Sequence, residues 1–426
     1  MKDFKTIDIR KQVVFPNLNY RFSRIKENKK EVILDRDFLG ENPLHYYIDI
    51  KNNELLVANN ILDIKNHLEE INRIFNWNRV RAVSNNTKVI INNESFLLAL
   101  PIEEELGPTL QEYEKPNLDY PNISIIGKRV RDLLETSLEG RLKTIPENKI
   151  GILLSGGLDS MSICYLLSNV EDKEITAFTL KVNEDDKDII KSREIAKRFG
   201  INLVEVQIKK EEEGIYVHSN NYTNKLIKLD EVVLNSLKIS GNPLKDNALC
   251  AVSMYLIGNV IKNEKISTVF CGEGPNEMIN DYGFNPLDKG YSTNNKGDIS
   301  FRQALTFGKK KGDMRLGRGG LAKHALARMG KIFSHYGIRL ESPYFDKNIA
   351  RVMTHIPHLT SYDTIKQHLI NAMFVNEKFS DLIEGTSKEK FQDGSGVSKL
   401  FRKYNQSKII EMFENIYGIK KTEYLK

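Results

Sequence analysis

Residues 150–160, Ile-Gly-Ile-Leu-Leu-Ser-Gly-Gly-Leu-Asp-Ser, constrain the fold of this 426-residue chain more than any other stretch. The apolar run 150–154 has the length of a buried strand, and 161–168 (Met-Ser-Ile-Cys-Tyr-Leu-Leu-Ser) read as the helix that follows. A strand and a helix so close together need a tight turn, which Gly156 and Gly157 permit. With no side chain at those two positions, backbone N–H groups approach an anion closely, and the helix start adds partial positive charge. Ser155, Asp159 and Ser160 flank the turn. The common nucleotide-hydrolase loop, Gly-x-x-x-x-Gly-Lys-Ser/Thr, needs a lysine that is absent here. A phosphate site of another kind is expected.

The chain around this stretch has a matching rhythm. Residues 126–142 predict an amphipathic helix, 175–180 a strand, 188–199 a helix ended by Gly200, and 203–208 a third strand. A helix over 248–262 precedes a strand at 267–270. Strands alternating with helices predict an α/β fold, a parallel sheet with helices on both faces. Ligands of such sheets bind beyond the carboxyl ends of the strands, where Ser155 would lie.

Residues 1–118 have a different texture. Short β-rich runs at 45–50 and 54–58 flank a hairpin signal at 51–53, a helical stretch covers 61–75, and 87–91 with 95–98 read as a second hairpin around 92–94. This is a small α+β module, and 107–121, with three prolines and no periodicity, reads as the linker after it. The boundaries are therefore 1–118 and 119–426.

With 40% hydrophobic and 28% charged residues the composition is that of a soluble globular protein. No apolar run approaches the ~20 residues of a membrane span, and the start Met-Lys-Asp-Phe-Lys has no signal-peptide core, so a cytoplasmic location is expected and no membrane partner. The net charge of +6 gives little support to a nucleic-acid partner. Cys164, Cys250 and Cys271 are too scattered for a disulfide frame or a zinc site.

A second glycine loop, Cys271-Gly272-Glu273-Gly274-Pro275-Asn276-Glu277, again follows a strand. Alone it is a turn with surface charge. Residues 302–331 carry nine Lys/Arg against the single acid Asp313; they read as a solvated helix face, with guidance of a peptide or phosphorylated substrate as the alternative. Residues 283–300, rich in Gly and Asn, read as a mobile loop, a candidate lid.

Taken together these motifs resemble the asparagine synthase family, which cuts ATP between its α and β phosphates and activates a carboxylate as its adenylate. The 155–160 loop is similar to the pyrophosphatase loop of that group. The 271–277 loop resembles Ser-Gly-Glu-Gly-x-Asp-Glu, matching at Gly272, Glu273, Gly274 and Glu277. Ser342-Pro343-Tyr344-Phe345-Asp346 resembles the family's Pro-Phe-Leu-Asp segment, and 388–396 its closing Lys-x-x-Phe-x-Asp-Gly loop. The resemblance covers residues 120–400, and the first 118 more loosely.

That resemblance implies an adenine nucleotide alpha hydrolase-like (ATP pyrophosphatase) fold, with ATP and Mg²⁺ as cofactors. It implies ATP contacts at Leu153, Ser155, Gly156, Gly157, Asp159, Ser160, Leu180, Gly272 and Lys366, and metal contacts at Asp159 and Asn276. Glu273 would be an acid–base or orienting group, and Lys388 would contact substrate and pyrophosphate during amide formation. Two positions depart from the family: Asn276 stands for a metal-binding aspartate, and Glu341 for an arginine two places before the proline. The first module resembles a degenerate glutamine amidotransferase domain, since position 2 is Lys2 and the first cysteine is Cys164. The expected activity is a C–N ligase joining a small-molecule or peptide carboxylate to an amine in a specialised pathway, as β-lactam synthetases and peptide cyclases do. Ammonia-dependent, asparagine-type amidation is one alternative; an inactive or RNA-modifying relative is the other.

Overall fold

The computed structural model describes residues 5–6, 23–27, 31–36, 43–49, 52, 54–83, 87–92, 98–101, 123–219, 221–278, 325–353, 362–375, 377, 380–383 and 394–419. The expected linker at 107–121, the candidate lid at 283–300 and Lys388 lie outside the described residues.

Among the described residues the first module contains β1 (Lys5–Thr6), β2 (Ser23–Glu27), β3 (Glu31–Arg36), β4 (His45–Asp49), β5 (Glu54–Ala58), β6 (Val80–Ala82), β7 (Thr87–Asn92) and β8 (Leu98–Pro101), with helix α1 (Ile61–Glu70). They form two four-stranded sheets, β1-β5-β4-β6 and β2-β3-β7-β8. Period-two alternation divides the buried side chains. Tyr46, Leu55 and Val57 meet Val32, Leu34, Val89 and Ile91 between the sheets, while Tyr47 and Leu56 face α1 through Ile64 and Leu68. The first expected hairpin is present, β4 with β5; β7 also pairs antiparallel with β8, but that strand covers 98–101 where 95–98 was expected, and the expected turn lies largely outside the described residues. The helix is shorter than the 61–75 expected: Asn72 takes φ 56° and turns the chain, which frees Phe75 and Trp77 to pack elsewhere. Trp77 meets the rings of Phe413 and Tyr417 at 5.8 and 5.2 Å, docking the module on the helix Gln406–Tyr417.

The second part is built on one sheet of β9 (Lys149–Leu153), β10 (Glu174–Lys181), β11 (Asn202–Lys210), β12 (Ile215–Ser219), β13 (Tyr222–Thr223), β14 (Thr268–Phe270) and β15 (Arg339–Glu341). Their order is β13-β12-β11-β10-β9-β14-β15. Five strands, β11 to β15 through β10, β9 and β14, are parallel; β12 and β13 add an antiparallel edge. The helices α2 (Ile123–Leu142), α3 (Leu158–Ser168), α4 (Lys187–Phe199), α5 (Leu229–Ser240) and α6 (Lys245–Asn263) connect or cover them. Gly200, in the left-handed region at φ 67°, ends α4 as the sequence predicts.

Alternation along the strands again sorts the core. Ile150, Ile152, Leu154, Ala177 and Phe270 pack on one face with α2, α3 and α4, whereas Phe178, Leu180, Val204, Val206 and Val269 pack on the other with α5 and α6. Helices therefore cover both faces, as the sequence rhythm requires. In α2 the buried stripe Ile126, Val130, Leu134, Leu138 recurs every fourth residue, and truncating fully buried Leu134 to alanine costs about 2–5 kcal/mol. The chain leaves β9 toward β10 and β11, then returns to lay β14 and β15 on the opposite side of β9. That reversal opens a crevice at the carboxyl ends of β9 and β14, the position where open α/β sheets bind ligands.

Candidate active site

Two glycine loops fill the crevice. The first, after β9, takes its shape from Gly156 at φ 71°, where a Cβ would come within 2.7 Å of the Lys191 Cβ on α4. Gly157 is the N-cap of α3 and makes no side-chain cap, so the helix's first N–H groups are left to whatever anion lies above them. Ser160 braces the turn from within. It is buried; its Oγ donates to the Gly157 carbonyl at 3.0 Å, accepts from the Ser155 N–H at 3.3 Å and lies 3.2 Å from Ser155 Oγ.

The second loop follows β14 and touches the first. A Cβ on Gly272 would sit 2.5 Å from the carbonyl carbon of Asp159 and 2.5 Å from the nitrogen of Ser160, so only glycine lets the two backbones approach this closely. Gly274, at φ 123°, turns the chain beside the Phe345 ring and the Cβ of Tyr344. Ser342 ties the loop down by donating to the Glu273 carbonyl at 2.6 Å, and the Cys271 N–H donates to the Glu341 carbonyl at 2.8 Å.

A lysine joins the two loops. Lys366 lies in the second turn of the helix Tyr362–Met373. Its ammonium donates to an Asp159 oxygen and, at 2.6 Å, to Asn276 Oδ1. Asp159, Asn276 and Lys366, 207 residues apart at the extremes, thus meet at one point. Asp159 and Asn276 are a short oxygen donor set with one negative charge, and among the described residues no three His, Cys, Asp or Glu gather as a metal site. That set suits Mg²⁺ carried in by phosphate oxygens, which needs only one or two protein carboxylates. It does not suit a resident metal.

Half-buried Glu273 stands beside this cluster. Burial holds its carboxyl above the usual carboxylate range, Asp159 pushes it the same way, and Arg328 and Lys366 oppose the rise. A carboxyl raised in this way can hold or release a proton closer to neutral pH. Tyr344 shares a 2.6 Å hydrogen bond with Ser162 Oγ, and burial raises its phenol as well.

The remaining expected contacts divide. Leu153 is half-buried at the end of β9; the Leu180 side chain is fully buried in the core on the same face of the sheet and leaves only its backbone for a ligand. Lys388 lies outside the described residues, although the end of its loop does not. A Cβ on Gly396, at φ 77°, would come within 2.6 Å of Asp186 Oδ2 at the start of α4, the helix that borders Gly156.

One expectation is corrected. Arg328, within the basic stretch read as a solvated helix face, is 6% exposed and donates to Asn247 Oδ1 in the first turn of α6. Its helix, Ala325–His335, packs its apolar side on α5 and α6, and Arg328 lies on the covered side with Met329, Ile332 and Phe333. Counting charge over the stretch concealed it; the spacing from Arg328 to those three apolar residues was the available signal. Of the cysteines, Cys164 is fully buried and burial pushes its thiol up to about 12, which makes it inert. Among the described residues no helix is long and apolar enough to cross a membrane.

Residues 129–328 match the asparagine synthase family model, a span that holds both glycine loops. The glutamine-hydrolyzing asparagine synthetase of Bos taurus is 25% identical over 282 residues, 64% of this chain and 44% of that protein. Its counterpart from Homo sapiens is 30% identical over 166 residues, 38% of this chain and 26% of that protein. The chain thus spans less than half the length of these relatives. Among solved structures there is similarity to the NH3-dependent NAD synthetase from Campylobacter jejuni, with 14% identity and a TM-score of 0.29 over 71% of this chain and 94% of that one.

Proposed function

We propose that this chain, whose residues 129–328 match the asparagine synthase family model, is an ATP-dependent ligase that activates a carboxylate as its acyl-adenylate and joins it to an amine. The observation that carries this is the contact of the two glycine loops at Gly272, which sets an anion cradle, an acidic group and a lysine in one crevice.

In the first step a carboxylate oxygen of the substrate attacks the α phosphorus, the bond from that phosphorus to its bridging oxygen breaks, and pyrophosphate leaves with the electron pair. Gly156, Gly157 and the start of α3 bind the departing phosphates through backbone N–H groups, which costs no reorganisation during reaction. Asp159 and Asn276 would hold a Mg²⁺ brought by the nucleotide, which would neutralise phosphate charge. Lys366 then gives up its carboxylate partner and turns to the phosphates. In the second step the amine attacks the acyl carbon, AMP leaves, and the amine's extra proton passes to a base, the role we assign to Glu273. Lys388 is proposed to steady charge on the phosphates as the amide forms. The first module is proposed to serve as a structural relic of an amidotransferase, and the amine to arrive free and not from glutamine.

The test is a product assay: with Mg-ATP and a panel of carboxylates and amines, AMP and pyrophosphate are expected, and exchange of labelled pyrophosphate into ATP should depend on the carboxylate. Release of ADP and orthophosphate would overturn the proposal. Glu273 also favours a second reading, direct amidation by ammonia; ammonium as the sole amine would then support full turnover.

A further inference from the structure

Asp188, in the first turn of α4, is approached from two sides by segments that lie far apart in the chain. On one side is the phosphate turn, where a Cβ on Gly156 would stand 3.1 Å from the Asp188 carbonyl oxygen and 3.5 Å from its Cα. On the other is Gly394, where a Cβ would stand 2.5 Å from the Asp188 carboxyl carbon and 2.7 Å from Oδ2. Gly394 does not have the positive φ of Gly156 or Gly396, so closeness to Asp188, not backbone conformation, calls for glycine there.

The tripeptide Gly394-Ser395-Gly396 has no room to back away. All three residues are buried, and Val397 and Phe401 just after them are fully buried in the core that packs on α5 and α6. Two positions on, Gly396 repeats the contact on Asp186, whose Oδ2 would lie 2.6 Å from an added Cβ. Asp186 is tied as well: its carboxylate accepts from the Asn183 N–H at 2.7 Å and the Val182 N–H at 3.3 Å, which fixes the turn between β10 and α4. The start of α4 is therefore wedged between the phosphate turn and residues 394–396. In a close-packed interior, its position sets where Gly156 can lie.

We infer that Asp188 is a positioning residue of the phosphate site. Its backbone shapes the turn at Gly156, its carboxylate is the stop on which Gly394 rests, and residues 394–396 thereby govern affinity for phosphates that they do not touch. This rests on the proposed binding of ATP phosphates at Gly156 and Gly157. The contact works by shape, since Gly394 brings neither charge nor side chain. By reciprocity, an anion seated on the phosphate turn tightens 394–396 as much as they tighten its binding.

The experiment is calorimetric titration of the full chain with two probes, magnesium pyrophosphate and a non-hydrolysable ATP analogue with Mg²⁺. Gly394→Ala, which drives a methyl group into the carboxylate, is expected to weaken both about tenfold, and Asp188→Ala, which removes the stop, about threefold. The double variant should return to within about twofold of the wild type, because the added methyl fills the space the carboxylate left. A residue that only stabilised the fold would instead lower the melting temperature in each single variant and further in the double. Asp188→Asn, of the same shape and without the charge, should bind as the wild type does. Wild-type affinity in Gly394→Ala, a double variant no tighter than Gly394→Ala, or a loss in Asp188→Asn as large as in Asp188→Ala overturns the inference. Where Gly394→Ala does not fold, hydrogen exchange of the wild type decides: the amides of 394–401 are expected to exchange about fivefold more slowly with the ATP analogue bound, and no slowing overturns the inference. Each of these outcomes leaves the ligase proposal standing. Failure of the wild type to bind the ATP analogue overturns the ligase proposal, and this inference with it.

Discussion

Two carboxylates at the carboxyl ends of one sheet's strands, one closing β15 and one in the first turn of α3, meet cations in opposite ways. Glu341, at the end of β15 and 1% exposed, takes Arg141 on one oxygen at 2.7 Å and Arg339 on the other at 2.5 Å. Both arginines are themselves pinned, Arg141 to the Phe345 carbonyl and Arg339 to Thr144 Oγ1 at 3.0 Å. Asp159, at the crevice, is held by a lysine whose other contact is the amide oxygen of Asn276. An arginine fork is planar and locks both partners, whereas an ammonium is a point charge on a flexible stem that can change partners. The Glu341 cluster therefore holds the backbone at residues 339–345 in shape, and the Asp159 cluster can be exchanged for a nucleotide with its metal.

The comparison breaks most readily at Glu341. Glu341→Ala leaves two inward-facing guanidinium groups without their carboxylate and is expected to cost about 3–5 kcal/mol of stability. Chemical denaturation measures it; a loss under 1 kcal/mol would mean that the cluster is not a fixture. Because Ser342 and the Cys271 N–H tie this strand end to the second loop, activity should fall only as far as folding does.

Asp159→Ala should give the converse pattern. Removing the charged contact for nucleotide and metal is expected to slow pyrophosphate release by a hundredfold to a thousandfold, equivalent to about 3–4 kcal/mol in the transition state, with little change in melting. Near-normal turnover in this variant would remove Asp159 from the mechanism and leave Lys366 as its structural partner.

The two clusters also differ in how far the sequence reveals them. Ile150 to Ser160 announces itself, because strand, glycine turn and helix start are contiguous and each has a local physical signature. Gly272 could be named as part of a loop, yet its need to be glycine arises from the Asp159 and Ser160 backbone more than a hundred positions earlier in the chain. Glu341 was visible as a departure from the family, but the arginine that answers it lies 200 residues away in α2, where the helix pattern shows only a buried position. Arg328 was hidden by its neighbours, since a charge-rich stretch reads as solvated whichever residue faces inward. Strands β12, β13 and β15 escaped because two of them are only two and three residues long, and such runs carry too little alternation to recognise. Contacts set by tertiary approach leave no local trace in the chain.

That approach can be tested alone. Gly272→Ala adds a single carbon where 2.5 Å is available against backbone, so one of the two loops must move. Overpacking of this kind costs roughly 1–3 kcal/mol, and affinity for ATP is expected to fall with it because the cradle at Gly156 shifts. Gly140→Ala, in α2 and away from the loops, is the control, since its Cβ would meet nothing within 4 Å. Equal ATP affinity in the two variants would show that the loops do not depend on their contact.

Lys331 supplies a third way of holding a cation, and the smallest effect. It lies in the helix Ala325–His335 against the first module, donates to the Ser240 carbonyl at 3.3 Å, and has Arg36 nearby. Burial lowers its ammonium to about 8, the charge of Arg36 adds to the fall, and Asp63 opposes it. Here the cation is neither locked by a carboxylate nor exchangeable. The folded pKa lies below the unfolded value of about 10.4, so between those limits the unfolded chain holds more protons and stability must rise with pH. Below about 8 both states are charged and the full burial cost is present; above the unfolded value it is gone. Lys331→Met lacks the titration. Its stability relative to the wild type should therefore decline from pH 7 to pH 10 by on the order of 1 kcal/mol, as parallel urea melts would record. A difference that stays flat across that range would mean that water reaches the ammonium, and that the cations of this protein fall into two kinds and not three.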